Sequence, residues 1–204
     1  MKTKIVVATI KSWNIENARK FKKRHARRYE VIIIDKKEAL TYEKLRRIGS
    51  RYVFIPHWSW IIPKNVCEGF ECVIFHMTEL PYGRGGSPLQ NLISRGFRRT
   101  TISAIRAVKA LDAGPIYIKR PLNLEGKASD IFQRASDIIF NDMIPRIIED
   151  DIRPLPQKGR PVIFLRRKPS DGDISRLKNT KKIYDRIRML DAESYPPAYL
   201  KVNG

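Results

Sequence analysis

Short apolar runs alternate with amphipathic segments along the first half of the chain. The apolar runs occupy residues 5–9, 31–35, 52–56 and 72–75. None of them alternates polar with apolar positions, which is typical of strands covered on both faces of a parallel sheet. Residues 14–25 and 41–48 instead place their apolar side chains on one helical face. This strand–helix repetition predicts a doubly wound, mostly parallel α/β sheet.

The second half of the chain is less regular. Apolar patterning predicts strands at 100–108, 115–122 and 162–167, and helices at 129–149 and 180–190. Pro145 is expected to bend or end the first of these helices early, because proline lacks the backbone N–H that a helix needs. Prolines and basic residues become frequent after residue 152. We therefore predict a domain at 1–152, followed by a linker and a C-terminal appendage at 153–204.

Composition narrows the class of protein. The chain has 204 residues, 42% of them hydrophobic, which is enough for one domain with its own core. Two cysteines are too few for a disulfide framework and predict a reducing, cytoplasmic location. The first ten residues, MKTKIVVATI, contain an apolar run too short to cross a membrane, and they lack the pattern of a signal peptide.

Charge is the strongest signal in the composition. The formal net charge is +20, and residues 19–28 (RKFKKRHARR) include seven Lys or Arg. Such an excess favours an anionic partner, whether nucleic acid, a nucleotide or a phosphorylated sugar. A solvated helix face that only supports solubility explains the 19–28 cluster equally well.

Residues 75–91, FHMTELPYGRGGSPLQN, form the most irregular stretch and follow a predicted buried strand. The GRGG within it invites a phosphate-binding interpretation. A dinucleotide fingerprint, however, needs glycines after the first strand, where the sequence reads TIKSWN. A Walker A motif is also missing from the sequence, so nicotinamide and nucleotide-triphosphatase chemistry are disfavoured. Three scattered histidines give little support to a metal site.

In open α/β sheets, ligands bind at the carboxyl ends of the strands. This rule predicts that the HWSW loop at 57–60, the loop after His76 and the KALDAG loop at 109–114 meet at one edge. A lone histidine at a strand end is more often structural than catalytic. Here Asp112 follows a neighbouring strand, and a carboxylate that reaches an imidazole can fix its tautomer and stabilise its charged form. His76 and Asp112 are therefore the candidate catalytic residues.

Several stretches together resemble one known family. HMTELPYGRGGSP, from His76, is similar to the Asn-x-His loop of the folate-dependent formyltransferases, which continues through Ser-Leu-Leu-Pro to Arg-Gly and a proline. KALDAGPIY resembles the family's Leu-Asp-Thr-Gly segment, whose aspartate follows the histidine by 36 residues, as Asp112 follows His76. SWIIP resembles the family's loop after the third strand. FLRRKPSDGDIS and IYDRIRMLDAESYPPAYL resemble the linker and second-domain opening of enzymes that formylate methionyl-tRNA or amino-sugar nucleotides.

The resemblance implies a Rossmann-like formyltransferase fold and transfer of a formyl group from 10-formyltetrahydrofolate to a primary amine, with no metal. His76 would polarise the formyl oxygen and move a proton. Asp112 would hold His76 in its productive state, or accept the amine's proton through a water. The residues implied to bind the folate are Trp58, Ser59, Trp60, Ile61, Thr78, Glu79, Leu80, Pro81, Gly86, Val108, Lys109, Ala110 and Leu111. Arg84 and Gly85 are implied to bind the anionic amine substrate.

Two departures from the family pattern affect these expectations. The family's asparagine, two residues before the histidine, corresponds to Ile74. Loss of such an oxyanion donor costs about 10²–10³ in rate unless Thr78, a main-chain N–H of residues 83–86 or a water replaces it. Family members also usually continue into a small β-rich second domain where this sequence reaches residue 204, which predicts a truncated acceptor-binding region.

Three functions are compatible with these residues. The first is formylation of a nucleotide-linked amino sugar, favoured by the compact appendage and the Asp-x-x-x-Tyr-Pro-Pro-Ala tail at 191–198. The second is formylation of initiator methionyl-tRNA, for which the charge of +20 is the best support. The third is a catalytically weakened, RNA-binding relative, indicated by Ile74. A homodimer fits any of the three, and no membrane partner is expected.

Overall fold

The computed structural model describes residues 2–202, which form eight β-strands and seven α-helices. The strands are β1 (Thr3–Ala8), β2 (Tyr29–Ile34), β3 (Tyr52–Pro56), β4 (Glu71–His76), β5 (Tyr82–Gly85), β6 (Arg99–Arg106), β7 (Ile116–Asn123) and β8 (Val162–Phe164). Six of them form the central sheet in the order β2-β1-β3-β4-β6-β7, and β5 pairs with β8. Strands β1 to β4 run parallel, whereas β6 is antiparallel to both of its neighbours. The predicted mostly parallel α/β fold is confirmed.

The helices are α1 (Ser12–Arg24), α2 (Tyr42–Ile48), α3 (Lys64–Gly69), α4 (Pro88–Ser94), α5 (Ala128–Ile138), α6 (Ile144–Glu149) and α7 (Thr180–Arg188). Helix α3 was not predicted, because it buries only Val66 and therefore has no apolar stripe. A π-helical turn, Ile139–Met143, joins α5 to α6. Pro145 lies in the first turn of α6 and does not end the helix early. The π-helical turn before it interrupts the regular i→i−4 hydrogen bonds, so the missing N–H of proline costs less there.

Each parallel strand buries side chains on both faces of the sheet. On β1, Ile5 and Val7 belong to the larger core cluster, which packs against α1, α4, α5 and α6. Val6 and Ala8 belong to the opposite cluster, with Leu45 of α2 and Val66 of α3. Two-sided burial is why these strands read as continuous apolar runs in the sequence.

Residues after 152 also pack onto this structure, as far as residue 202. Phe164, Met189 and Leu190 are buried in the larger core cluster. Nη1 of Arg188 donates to the carbonyls of Leu124 and Gly126, at 2.5 and 2.9 Å. The division of the chain after residue 152 stays a prediction. None of the helices within residues 2–202 is long and apolar enough to span a bilayer.

Candidate active site

His76 ends β4, and its imidazole is held by the segment that follows it. The side chain is 8% exposed, and Nε2 lies 2.7 Å from the carbonyl oxygen of Gly83. Because a carbonyl can only accept, Nε2 must carry the proton that it donates. Nδ1 faces Oδ2 of Asp112 at 3.6 Å. The fold therefore fixes the tautomer of His76 and leaves Nδ1 free to exchange a proton beside a carboxylate.

Asp112 reaches this position by a route that the sequence did not predict. Strand β6 runs antiparallel to β4, so its carboxyl end lies beside Val73, three residues before His76. The KALDAG loop thus does not start from the carboxyl ends of the parallel strands, contrary to the prediction, although it does meet the loop after His76. Asp112 is nevertheless buried against His76, with a left-handed backbone (φ 49°), and its Oδ2 accepts the N–H of Gly85 at 2.9 Å.

The glycines of GRGG lie against β8. A Cβ on Gly85 would come within 2.4 Å of the Phe164 carbonyl oxygen, and a Cβ on Gly86 within 2.6 Å of the Cα of Arg166. Gly85 also has a φ of 108°, which side chains disfavour. In the structure this close approach is made to the protein's own segment at 164–166.

Gln157 connects the loop after His76 to the KALDAG loop, and sequence reasoning missed it. Its Oε1 accepts from Nε and Nη2 of Arg84, at 3.0 and 2.7 Å. Its Nε2 donates to the carbonyls of Asp112 and Gly114, both at 2.8 Å. Arg84, which was predicted to bind substrate, is therefore tied to the backbone of the KALDAG loop. No sequence signal identifies this glutamine, because its partners are distant in the chain.

In the segment at 78–81, two side chains are buried and one is exposed. Thr78 and Leu80 are 0% and 1% exposed. Glu79 is exposed, and its Oε1 lies 3.7 Å from Nζ of Lys119. The carbonyl of Pro81 accepts a hydrogen bond from the N–H of Val162. The predicted role of these four residues in folate binding stays a prediction.

Two predicted folate loops expose apolar side chains. After β3, Ser59 is exposed, Trp60 is 39% exposed and Ile61 is 95% exposed. After β6, residues 108–111 are all exposed, including Val108 at 40% and Leu111 at 72%. Trp58 packs in one cluster with Ala107 and the partly buried Ile74. Ile74 thus gives an apolar surface where the family pattern has an amide.

The proposed replacements for that amide have other partners. The hydroxyl of Thr78 donates to the Gly83 carbonyl at 3.4 Å. The N–H of Gly85 donates to Asp112, and the N–H of Gly86 donates to the Phe164 carbonyl at 3.0 Å. These three groups are therefore not free to stabilise an oxyanion.

The start of the HWSW loop is anchored by the C-terminal segment. His57 has a left-handed backbone (φ 54°), and its ring packs edge-on against Trp13 and Phe132. The hydroxyl of Tyr195 and Nε2 of His57 form a hydrogen bond of 3.2 Å. Burial, together with the charge on Lys11, lowers the pKa of His57 to about 4, so the ring is neutral near pH 7.

We expect acid to destabilise the protein partly through His57. Unfolding returns its pKa to about 6.5, so between pH 7 and pH 4 the unfolded chain binds a proton that the folded chain excludes. From this group alone, the free energy of unfolding should fall by up to about 3 kcal/mol over that range. His57→Asn, which tolerates the left-handed backbone, should lose this part of the pH dependence in urea unfolding. Parallel pH profiles for the two proteins would contradict the assignment.

Metal ligands are not clustered in this structure. Within residues 2–202, no group of three or more His, Cys, Asp or Glu side chains is placed to hold a metal ion. Cys67 and Cys72 are both free thiols, and burial raises the pKa of Cys72 to about 12. The titratable side chains brought together at the carboxyl end of β4 are His76 and Asp112.

Comparison with known proteins places this chain in a family. Residues 169–204 match the family described as methionyl-tRNA formyltransferase, C-terminal domain. The structure is similar to methionyl-tRNA formyltransferase from Clostridium thermocellum, with a TM-score of 0.96 and 54% identity, covering 98% of this chain and 88% of that one. The sequence is also 27% identical over 171 residues to methionyl-tRNA formyltransferase of Bacillus cytotoxicus, covering 80% of this chain and 54% of that protein.

A more distant structure shares the fold alone. The formyltransferase PseJ from Anoxybacillus kamchatkensis, in complex with a UDP-linked formamido sugar and tetrahydrofolate, is 16% identical with a TM-score of 0.63, covering 96% of this chain and 95% of that one. The chain spans about half the length of the curated relatives it matches. The 54% identity to the Clostridium thermocellum protein extends over nearly the whole of both chains. The chain therefore belongs to the folate-dependent formyltransferase family.

Proposed function

We propose that this protein transfers a formyl group from 10-formyltetrahydrofolate to the amino group of methionyl-tRNA. The observation that carries the proposal is the pair of His76 and Asp112, in which Nδ1 of a buried imidazole faces a carboxylate oxygen at 3.6 Å. Both residues stand where the family motifs place a histidine and an aspartate, 36 residues apart. Family membership supports a folate as the formyl donor.

The pair has the properties that the transfer needs. As the amine attacks the formyl carbon, negative charge develops on the formyl oxygen and the attacking nitrogen becomes acidic. Nε2 of His76 is committed to Gly83, so Nδ1 is the atom that can give a proton to the oxygen or take one from the nitrogen. Asp112 stabilises the protonated ring, and the N–H of Gly85 holds the carboxylate in place.

Two loops are proposed to hold the folate. Trp60 and Ile61 on one loop, and Val108 and Leu111 on the other, keep apolar surface exposed that a flat pterin ring would cover. Main-chain groups of residues 58–61 and 108–111 would pair with the polar edge of that ring. The folate supplies the activated formyl group, and the chain supplies the shape of the site and the two titrating side chains.

The acceptor is assigned to RNA, although the sequence alone favoured an amino sugar. The relative named for methionyl-tRNA is 54% identical, whereas the one bound to a nucleotide sugar is 16% identical. The net charge of +20 adds attraction for a polyanion far larger than a sugar nucleotide.

The test incubates the purified protein with 10-formyltetrahydrofolate and methionyl-tRNA, and measures formylmethionyl-tRNA together with released tetrahydrofolate. We expect turnover with the aminoacylated tRNA, none with uncharged tRNA and little with a UDP-linked amino sugar at equal concentration. Transfer to the sugar alone would contradict the RNA assignment.

The same assay tests the third function, a catalytically weakened RNA-binding relative, which Ile74 suggests. With Ile74 apolar and the hydroxyl of Thr78 committed, the oxyanion has fewer donors than the family pattern supplies. We expect turnover, with a rate lowered by as much as about 10²–10³ unless a water takes the place of the amide. Salt-sensitive tRNA binding with no formylated product would favour the weakened relative.

A further inference from the structure

An open pocket lies outside the candidate active site, where α7 meets the turns at 96–98 and 125–126. Its volume is about 320 Å³. Pockets that bind small organic groups begin at about 300 Å³, so this one has room for a single such group. None of the residues used above in the proposed reaction lines it.

Two aromatic side chains give the pocket flat, exposed surfaces. Phe97 is 40% exposed and Tyr184 is 59% exposed. The ring of Tyr82 supports Phe97, with centroids 5.7 Å apart, and the guanidinium of Arg188 lies 5.7 Å from the centre of the Tyr184 ring. A ring supported on one side and open on the other is suited to stacking on a nucleic-acid base.

The pocket is also positively charged. Arg98 and Lys181 line it, and neither forms an ion pair with another residue of the described chain, 2–202. Of the two carboxylates in the lining, Asp185 is paired with Arg188 at 2.7 Å, and Glu125 lies at the exposed rim. Residues 166–188 carry nine Lys or Arg and three Asp, so the positive surface continues along α7. Such a surface attracts a phosphate backbone.

The pocket lies a defined distance from His76. Ser103 of β6 pairs with His76, and Arg98 lies five residues earlier in the chain, which places it about 17 Å away. Two neighbouring residues link the pocket to the candidate active site. The ring of Tyr82 contacts Phe97, and the carbonyl of the next residue, Gly83, accepts a hydrogen bond from the imidazole of His76. A stacked single strand covers about 17 Å in about five nucleotides, and an extended strand covers it in fewer.

We propose that this pocket binds an unpaired nucleotide near the 3′ end of the RNA acceptor, an inference that rests on the proposed function. The base stacks on Tyr184 or Phe97, while Lys181 and Arg98 contact the adjoining phosphates. A free nucleotide offers the same chemistry at a single position. RNA is favoured because the basic surface of α7 extends beyond the pocket and can engage further phosphates.

The experiment measures the affinity of 5′-labelled tRNA by fluorescence anisotropy over a range of salt concentrations. Tyr184→Ala should weaken binding by about tenfold, whereas Tyr184→Phe, which keeps the ring, should bind like the unmodified protein. Lys181→Gln should lower the slope of log affinity against log salt by about one, and Arg46→Gln on α2 serves as the matched charge control with an unchanged slope. A tRNA without its unpaired 3′ nucleotides should bind the unmodified protein as weakly as intact tRNA binds Tyr184→Ala.

The outcomes separate this inference from the proposed function. If the unmodified protein formylates methionyl-tRNA while Tyr184→Ala and Lys181→Gln bind tRNA normally, the pocket assignment is wrong and the proposed function stands. If the unmodified protein neither binds nor formylates tRNA, both are wrong. If adenosine or uridine monophosphate displaces tRNA as well as an oligonucleotide does, the ligand is a free nucleotide and the RNA assignment is overturned. Thermal unfolding of each variant verifies that the fold is retained.

Discussion

Replacing His76 by glutamine is expected to lower kcat/KM for formyl transfer by about 10²–10⁴. Glutamine can still donate an N–H to the Gly83 carbonyl, so the contact that holds this side chain is preserved. What it removes is Nδ1, the atom that faces Asp112 and that we assign to proton transfer. The measurement is steady-state release of tetrahydrofolate with methionyl-tRNA as acceptor.

The control for this substitution is His25→Gln. The imidazole of His25 packs on Phe21 at the C-terminal end of α1 and is not part of the candidate active site. It should leave the rate unchanged. Circular dichroism melting and tetrahydrofolate binding should be close to those of the unmodified protein in both variants. A His76→Gln protein that turns over at the normal rate would exclude His76 from the chemistry and leave it a structural residue.

Replacing Asp112 by asparagine should lower the turnover number by at least about 100-fold with little change in stability. Asparagine tolerates the left-handed backbone, and its side-chain oxygen can still accept the N–H of Gly85. Only the negative charge beside the imidazole is lost. The loss should therefore appear in the turnover number more than in the KM for either substrate.

Asp112→Ala separates the role of the charge from that of the hydrogen bond. Alanine also leaves the partly buried N–H of Gly85 without its acceptor, which should cost a further ~1 kcal/mol of stability in urea unfolding. Equal activity losses with a stability loss in alanine alone would support the electrostatic role. Full activity in the asparagine variant would show that the carboxylate acts only as a hydrogen-bond acceptor.

The apolar runs were enough to predict the parallel half of the sheet. Strands β1 to β4 bury both faces, so their sequences carry the signal directly. The direction of β6 carried no such signal, because a helix between two strands normally implies a parallel crossover. Here the connection between β4 and β6 contains β5 as well as α4, and β6 returns antiparallel. The glycines of β5 make this short strand read as a loop in the sequence, so the connection reads as a single helix.

The candidate site was predictable where a residue type carries its own chemistry. His76 and Asp112 stand out as a titratable pair, and the structure brings them together. Gln157 does not stand out, since an amide in a stretch rich in proline and basic residues has no periodicity and no distinctive chemistry. Its importance comes from four hydrogen bonds to residues more than forty positions away. Such long-range contacts exist only once the fold is known.

The pairing of β5 with β8 bears on the order in which the molecule can be assembled. Arg84 pairs with Ile163, so the segment that holds His76 finds its strand partner only after nearly eighty more residues have been made. Strands β1 to β4 can pair during synthesis long before that, because the contacts among them span far fewer residues. The geometry of the candidate site is therefore a late product of folding, and a nascent chain can be well folded through most of its sheet before this site exists.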